Sequence, residues 1–216
     1  HQALVLLSGG ASSLAAAPVD GVTSGDLAAL WSYLLGSGRD IVAVNTVRKR
    51  CHRWGAGRLA AALAPRPVTV LCISDVIGDD PGTVGSGPCA PDPRWAREVL
   101  SLLESVAGAR DIPVSVRRLL ERQAAGDLPD TLKPGDAVFR NVTTHVIASN
   151  RLAVRGVARR AQELGLPVLA GASDLSGEAR EAGTRIGAFL RAGGGGASCF
   201  VWGGETTVSL GTGTAG

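Results

Sequence analysis

Apolar and polar positions along the chain follow two periods. Short apolar or β-branched runs mark strands at Ala3–Leu7, Val68–Ile73, Thr143–Ala148, Pro167–Ala170, Ser198–Trp202 and Thr206–Leu210. Between them, apolar residues recur at helical spacing. The clearest case is Asp26–Leu35, where Leu27, Leu30, Trp31, Leu34 and Leu35 form a stripe ended by Gly36 and Gly38. Further helices are predicted over about Ile41–Arg53 with Asp40 as cap, Gly57–Ala64 closed by Pro65, Pro93–Val106, Val114–Ala124, Asn150–Leu164 and Ser176–Leu190. Strand and helix alternate, which makes the chain α/β. The pattern predicts a Rossmann-like parallel-sheet first domain over 1–135 and a second α/β domain over 141–216. Gly126–Arg140, with Pro129, Pro134 and Gly135, reads as the linker, and Gly193–Gly196 as a flexible turn.

The bulk numbers narrow the function classes. A formal net charge of +3 is too small to argue for nucleic acid or a membrane surface, and 4% aromatic residues leave little for base stacking. No apolar run has transmembrane length. Four cysteines, Cys51, Cys72, Cys89 and Cys199, lack C-x-x-C spacing. They speak for a reducing cytoplasm rather than zinc or a disulfide framework. The chain starts His1-Gln2 and stops in the glycine-rich Gly211–Gly216, so it is expected to be cut from a longer protein.

Charge is distributed unevenly around one predicted strand end. From Ile41 to Ser74 there is no Asp or Glu, while Arg48, Lys49, Arg50, Arg53, Arg58 and Arg66 fall in that span. The loop that follows, Ser74–Pro88, carries Asp75, Asp79 and Asp80 among four glycines. Ligands of α/β sheets collect at the carboxyl ends of strands. Acidic oxygens there suit a hard cation such as Mg²⁺, and glycines let backbone N–H groups approach an oxyanion. A solvated helix face followed by a turn with Asx caps is the plainer alternative.

Four other segments bear on chemistry. Ser8-Gly9-Gly10-Ala11-Ser12-Ser13 is either an anion nest or an ordinary tight turn, and it is not a Walker A. Asn45 and Lys49 lie one helical turn apart. The chain has 20 Arg and only two Lys, Lys49 and Lys133. A compact ammonium suits a transferring phosphoryl group better than a guanidinium fork, although chance retention of Lys49 is the alternative. Lys133 reads as a surface loop residue. Gly203-Gly204-Glu205-Thr206 is another strand-end turn. Gly211–Gly216 matches G-x-G-x-x-G in letters only, with no helix or acidic residue after it.

In this order, Ser8-Gly-Gly-Ala-Ser, Asn45-Thr-Val-Arg-Lys, Gly57-Arg58-Leu59-Ala60, Ser74-Asp-Val-Ile-Gly-Asp-Asp-Pro, Ser86-Gly-Pro and Gly203-Gly-Glu-Thr resemble the bacterial and animal type of glycerate 2-kinase. The C-terminal part of that family is called the MOFRL domain. The resemblance implies transfer of the γ-phosphoryl group of ATP to the 2-hydroxyl of D-glycerate with Mg²⁺. It implies catalytic roles for Lys49 and Asp75, and metal ligation by Asp75, Asp79 and Asp80. It implies substrate or phosphate contacts from Ser8, Gly9, Gly10, Ser12, Asn45, Arg48, Arg58, Ser86, Gly87, Gly204, Glu205 and Thr206. Family members carry a lysine-bearing segment before the first motif and an Arg-Asn-Gln/Glu stretch after the last. The chain is therefore expected to be a truncated piece, inactive alone, of a cytoplasmic kinase. Its partners would be a small hydroxy acid and a nucleotide, with neither nucleic acid nor membrane, and a homodimer is left open. The rivals are a non-catalytic nucleotide- or anion-binding module and a hydroxypyruvate reductase. The latter predicts a nicotinamide site, and no complete Rossmann fingerprint is present.

Overall fold

The computed structural model describes residues 1–36, 41–106, 112–170, 175–192 and 198–208. Strand β1 (Ala3–Ser8) pairs in parallel with β2 (Val68–Ser74), Ala3 beside Val68 and Ser8 beside Ile73. Because the pairing is parallel, the loops after both strands leave the same edge of the sheet. β3 (Val142–Ser149) lies on the other side of β2, giving the order β1-β2-β3. Val68, Val70, Cys72 and Ser74 are buried along the central strand. That burial accounts for its nearly continuous apolar sequence.

The connection from β1 to β2 holds α1 (Ala11–Leu14), α2 (Ser24–Gly36), α3 (Ile41–Cys51) and α4 (Arg58–Leu63); α5 (Ala96–Val106) and α6 (Val114–Ala125) follow β2. Leu27, Leu30 and Leu34 of α2 pack with Val47 and Cys51 of α3, Leu103 of α5 and Val116 and Leu120 of α6. A second core lies on the sheet, where Leu7, Val70 and Cys72 meet Ala60, Val84 and Cys89. Helix α3 connects core to site. At about 100° per residue, burying Val47 and Cys51 turns Asn45 and Lys49 to nearly the opposite side.

Residues His1–Ile147 and Ala148–Gly216 form two compact units. The second contains α7 (Asn150–Glu163), β4 (Val168–Ala170), α8 (Ala179–Ala192) and β5 (Cys199–Val201). Ser149 Oγ caps α7 by accepting the Leu152 N–H, and β4 pairs in parallel with β5. The rings of Phe189, Phe200 and Trp202 pack together there. No helix among the described residues is long and apolar enough to cross a membrane.

The α/β class is as expected, and four local readings differ. A helical turn, α1, sits inside the Ser8–Ser13 loop. The segment read as a linker is instead packed within the first unit. Its Leu132 carbonyl accepts the Asp92 N–H at 2.8 Å, and Ala137–Asn141 forms a 3-10 turn. The strand read as opening a second unit pairs with β2. Thr206–Val208 is not a strand, and Thr207 makes only an isolated bridge to Glu178. The last three misses share one cause: which partner a short segment finds is decided by long-range pairing that local periodicity does not encode. The Asp40 cap, Gly193–Gly196, Leu210 and the Gly211–Gly216 loop lie outside the described residues.

Candidate active site

A cavity of about 530 Å³ opens at the edge of the first unit where α3 meets the loop after β2. Asn45, Thr46 and Lys49 line it from α3, Asp80 to Thr83 and Ser86 from the loop, and Cys89, Arg94, Pro134 and Phe139 from the segments beyond. Its size is that of a small-metabolite site. Lys49, Asn45, Asp80 and Ser86, all singled out by sequence, thus face one space.

Behind Lys49 lies a buried ionic network that the sequence reading missed. Lys49 Nζ is 3.0 Å from Asp92 Oδ1, and Arg50 Nη2 is 3.1 Å from Asp92 Oδ2. Arg50 Nη1 also reaches Asp130 Oδ1 at 2.5 Å, and Lys133 Nζ lies 3.3 Å from the same oxygen. Arg50 and Asp92 are fully buried. Burial opposes ionisation of Asp92, but Lys49 and Arg50 hold its carboxyl below the usual range. Asp130 is likewise penalised by burial, yet the Ala96 N–H and Arg50 bring it down to about 2. Three cations face two carboxylates here, so the network carries one excess positive charge beside the cavity. Such a charge favours an anionic ligand. Lys133, expected on the surface, is mostly buried and also stacks 4.8 Å from the Trp95 ring centre. Asp92 and Asp130 give no motif signal; each is a single acid next to proline.

The glycine loop after β1 stands next to this cavity. Gly9 abuts Asp75 so closely that a Cβ there would lie 1.9 Å from Asp75 Oδ2. Gly10 has φ +78°, a left-handed turn that leads into α1. Ser12 Oγ and Ser86 Oγ share a hydrogen bond of 2.8 Å, and Arg48 Nη2 donates to Ser13 Oγ at 3.2 Å. The Arg48 guanidinium lies 4.8 Å over the Trp31 ring, and its buried Nε has no hydrogen-bond partner. Burial lowers the pKa of Arg48. Segments 8–13, 45–49 and 75–86 therefore converge. Parallel strand pairing brings two of them to one sheet edge, and α3 supplies the third.

Other expected site residues do structural work. Arg58 donates to the carbonyls of Lys49, His52 and Gly55 at 3.3, 3.0 and 3.5 Å, closing the C-terminal end of α3. Gly87 belongs to a clamp on α4. The carbonyls of Ser86, Gly87 and Pro88 accept N–H groups of Ala56, Gly57 and Leu59 at 2.9, 2.8 and 3.1 Å. Two motifs read as ligand-binding thus bind each other, because the first turn of a helix leaves N–H groups to be satisfied. Gly87 is needed there: its φ is +61°, and a Cβ would lie 2.6 Å from the Gly82 carbonyl oxygen. Asp80 caps its own turn, accepting the Gly82 N–H at 3.0 Å and the Thr83 hydroxyl at 2.8 Å. Asp79 is buried at φ +58°. Among the described residues no three His, Cys, Asp or Glu side chains form a metal-holding group, so Asp75, Asp79 and Asp80 are not a three-carboxylate cage. Gly204, Glu205 and Thr206 belong to the second unit, where Gly204 bridges Leu175.

His52, at the end of α3, yields a stability prediction. It is buried against Trp31, ring centres 5.8 Å apart, and its Nε2 has no hydrogen-bond partner. Burial, then Arg48 and Arg58, lower its pKa from 6.5 to about 4. The neutral form is therefore native. Its contribution is complete above pH 6.5 and is lost as the pH falls towards 4, where the unfolded chain takes up a proton that the folded one refuses. The expected loss is about 2–3 kcal/mol. Urea unfolding at pH 7 and pH 4.5 measures it. His52→Gln should flatten this pH dependence, and an unchanged slope would rule His52 out as its source. Asp130 acts in a separate, more acidic window, between about 3.8 and 2.

The chain is similar to known proteins. Residues 1–121 match the family described as domain of unknown function DUF4147. A glycerate 2-kinase of Pyrococcus horikoshii is 36% identical over 212 residues, covering 95% of this chain and 47% of that protein. A protein of Agrobacterium vitis with the provisional name hydroxypyruvate reductase is 34% identical over 99% of this chain and 48% of its own length. The crystal structure of a glycerate kinase from Thermotoga maritima superposes with a TM-score of 0.79 at 32% identity, covering 99% of this chain and 50% of that one. The chain spans about half the length of the curated relatives it matches.

Proposed function

From the premise that this chain belongs to the DUF4147 family, we propose that it is the part of a glycerate 2-kinase that holds the transferring phosphoryl group. The observation that carries the reading is the convergence on one sheet edge of the Ser8–Ser13 loop, Asp75 and the Asn45/Lys49 face of α3, over an excess of buried positive charge. Phosphoryl transfer asks for that combination of positioned cations and anion-cradling loops and for little covalent chemistry.

Each group has a task on this reading. Lys49, lining the cavity, neutralises charge that builds on the phosphoryl oxygens as the bond to the leaving group loosens. Asn45, one turn away, hydrogen-bonds the same ligand. Arg48, braced on Trp31 and Ser13, adds its positive charge near the loop, where a carboxylate or phosphate would lie. A magnesium ion that arrives with nucleotide phosphates needs only one or two protein carboxylates. Exposed Asp75 fits that need, with Asp80 as the second candidate. Such an ion, held there, would supply neutralisation of the phosphate charge. The second unit is read as a MOFRL-type domain, in which Gly204, Glu205 and Thr206 are the candidate binding residues. Four free cysteines, three of them buried, agree with work in a reducing cytoplasm.

The test is ADP formation from Mg·ATP and D-glycerate by the full reading frame that contains this chain. Turnover confined to NAD(P)H oxidation with hydroxypyruvate would replace the kinase reading. ATP binding without turnover on any hydroxy acid would leave a binding module. Gly9→Ala probes the metal assignment. The added methyl must displace the Asp75 carboxylate, which is exposed and can move, so stability should change by less than about 0.5 kcal/mol. The Mg²⁺ concentration for half-maximal rate should rise about tenfold, as it does on losing ~1.4 kcal/mol of binding. An unaltered Mg²⁺ titration would exclude Asp75 as a ligand.

A further inference from the structure

The chain's two lysines stand at the two ends of one hydrogen-bonded line. Lys133 Nζ donates to Thr131 Oγ1 at 2.8 Å, Thr131 Oγ1 donates to Asp92 Oδ2 at 2.8 Å, and Lys49 Nζ meets Asp92 Oδ1 at 3.0 Å. Of these four residues, only Lys49 lines the cavity. Asp92 and Thr131 are buried. We infer that Asp92, oriented by Thr131, is the positioning residue that holds the Lys49 ammonium at the cavity wall. The inference rests on the reading in which Lys49 acts on the transferring phosphoryl group.

First, lysine carries a point charge on a flexible four-carbon stem, and holding it in one place requires a fixed anion. Asp92 is such an anion. Its backbone N–H is tied to the Leu132 carbonyl at 2.8 Å, so its loop and the Pro129–Pro134 segment are in register. Thr131 N–H and the Ala96 N–H both bond Asp130, which anchors that segment to the start of α5. Secondly, the carboxylate must not cancel the charge it positions. Arg50 shares Asp92, and Lys133 shares Asp130, so the pairings leave one positive charge over. Thirdly, a preorganised charge needs no reorganisation when the reaction occurs, which is the largest part of electrostatic catalysis.

The test uses the full reading frame. Asp92→Asn keeps the shape and removes the charge. It should lower kcat about 10- to 100-fold while KM for both substrates stays within about twofold, as expected for a displaced reacting-site charge. Thr131→Val removes the orienting hydroxyl without touching Lys49. It should lower kcat by about 3- to 10-fold, and Thr131→Ser should recover most of that loss. This second series keeps the inference testable if Asp92→Asn fails to fold. A folded Asp92→Asn enzyme with parental kcat, or a Thr131→Ser enzyme as impaired as Thr131→Val, overturns the inference. An activity-independent arm separates it from the kinase reading: acetylation by acetic anhydride, read at Lys49 by peptide mass spectrometry. Released from its ion pair, Lys49 of Asp92→Asn should label several-fold faster than in the parent. If the parent shows no kinase turnover, the functional reading fails. Faster labelling then still upholds the hold of Asp92 on Lys49, and unchanged labelling removes that as well.

Discussion

Arg50→Met is expected to destabilise the protein by about 3–5 kcal/mol, the penalty for removing one partner from a buried ion-pair network. Arg50 is the only residue bonded to both Asp92 and Asp130 among the described ion pairs. Methionine fills much of its volume, so the effect isolates charge rather than a cavity. Asp92 would retain Lys49 and Thr131, and Asp130 would retain Lys133 and two backbone N–H groups. Those partners keep the expected loss finite, but they cannot replace a guanidinium that spans both acids. Urea unfolding at pH 7 gives the number. A loss below about 1 kcal/mol would mean that the network contributes little beyond its packing. Replacing all members of such a network together by apolar side chains of similar volume can leave a protein as stable.

Lys49→Ala should lower kcat about 10²- to 10³-fold, the usual effect of removing one preorganised group that stabilises transition-state charge. Its stability cost should be well below that of Arg50→Met, because Asp92 keeps Arg50 and Thr131 when Lys49 is shortened. The contrast is the informative part. Two adjacent basic residues of α3 touch the same carboxylate, and only the one facing the cavity should affect turnover directly. Steady-state kinetics on the full reading frame, paired with unfolding of both variants, checks it. Parental turnover in Lys49→Ala would take Lys49 out of the chemistry and leave it a member of the network.

The positions of the site loops were legible along the chain. Ala3–Ser8 and Val68–Ser74 read as strands, and glycine-rich loops at their ends read as ligand loops. Asn45 and Lys49 share a helix face by spacing alone, and the structure turns both to the cavity. The division of labour was less legible. Arg58 and Gly87 look like anion ligands in a basic, glycine-rich sequence, yet Arg58 closes α3 and Gly87 serves the clamp on α4. Asp80 reads as a metal ligand, and its carboxylate also serves its own turn. A basic or acidic side chain has the same letter whether it meets a ligand or a neighbouring carbonyl.

By itself, the sequence determined the α/β alternation, the strand ends that carry the loops, and the face of α3 that holds Lys49. These depend on hydrogen bonding and side-chain spacing within a few residues, so they repeat with a period that can be read along the chain. Tertiary structure alone decided that Asp92 and Asp130 would stand behind Lys49, that the 126–140 segment would pack against the Asp92 loop, and that β3 would join β2. Those partners are remote along the polypeptide. Only chain reversal brings them together, and a buried charge takes whichever counter-charge the fold places beside it.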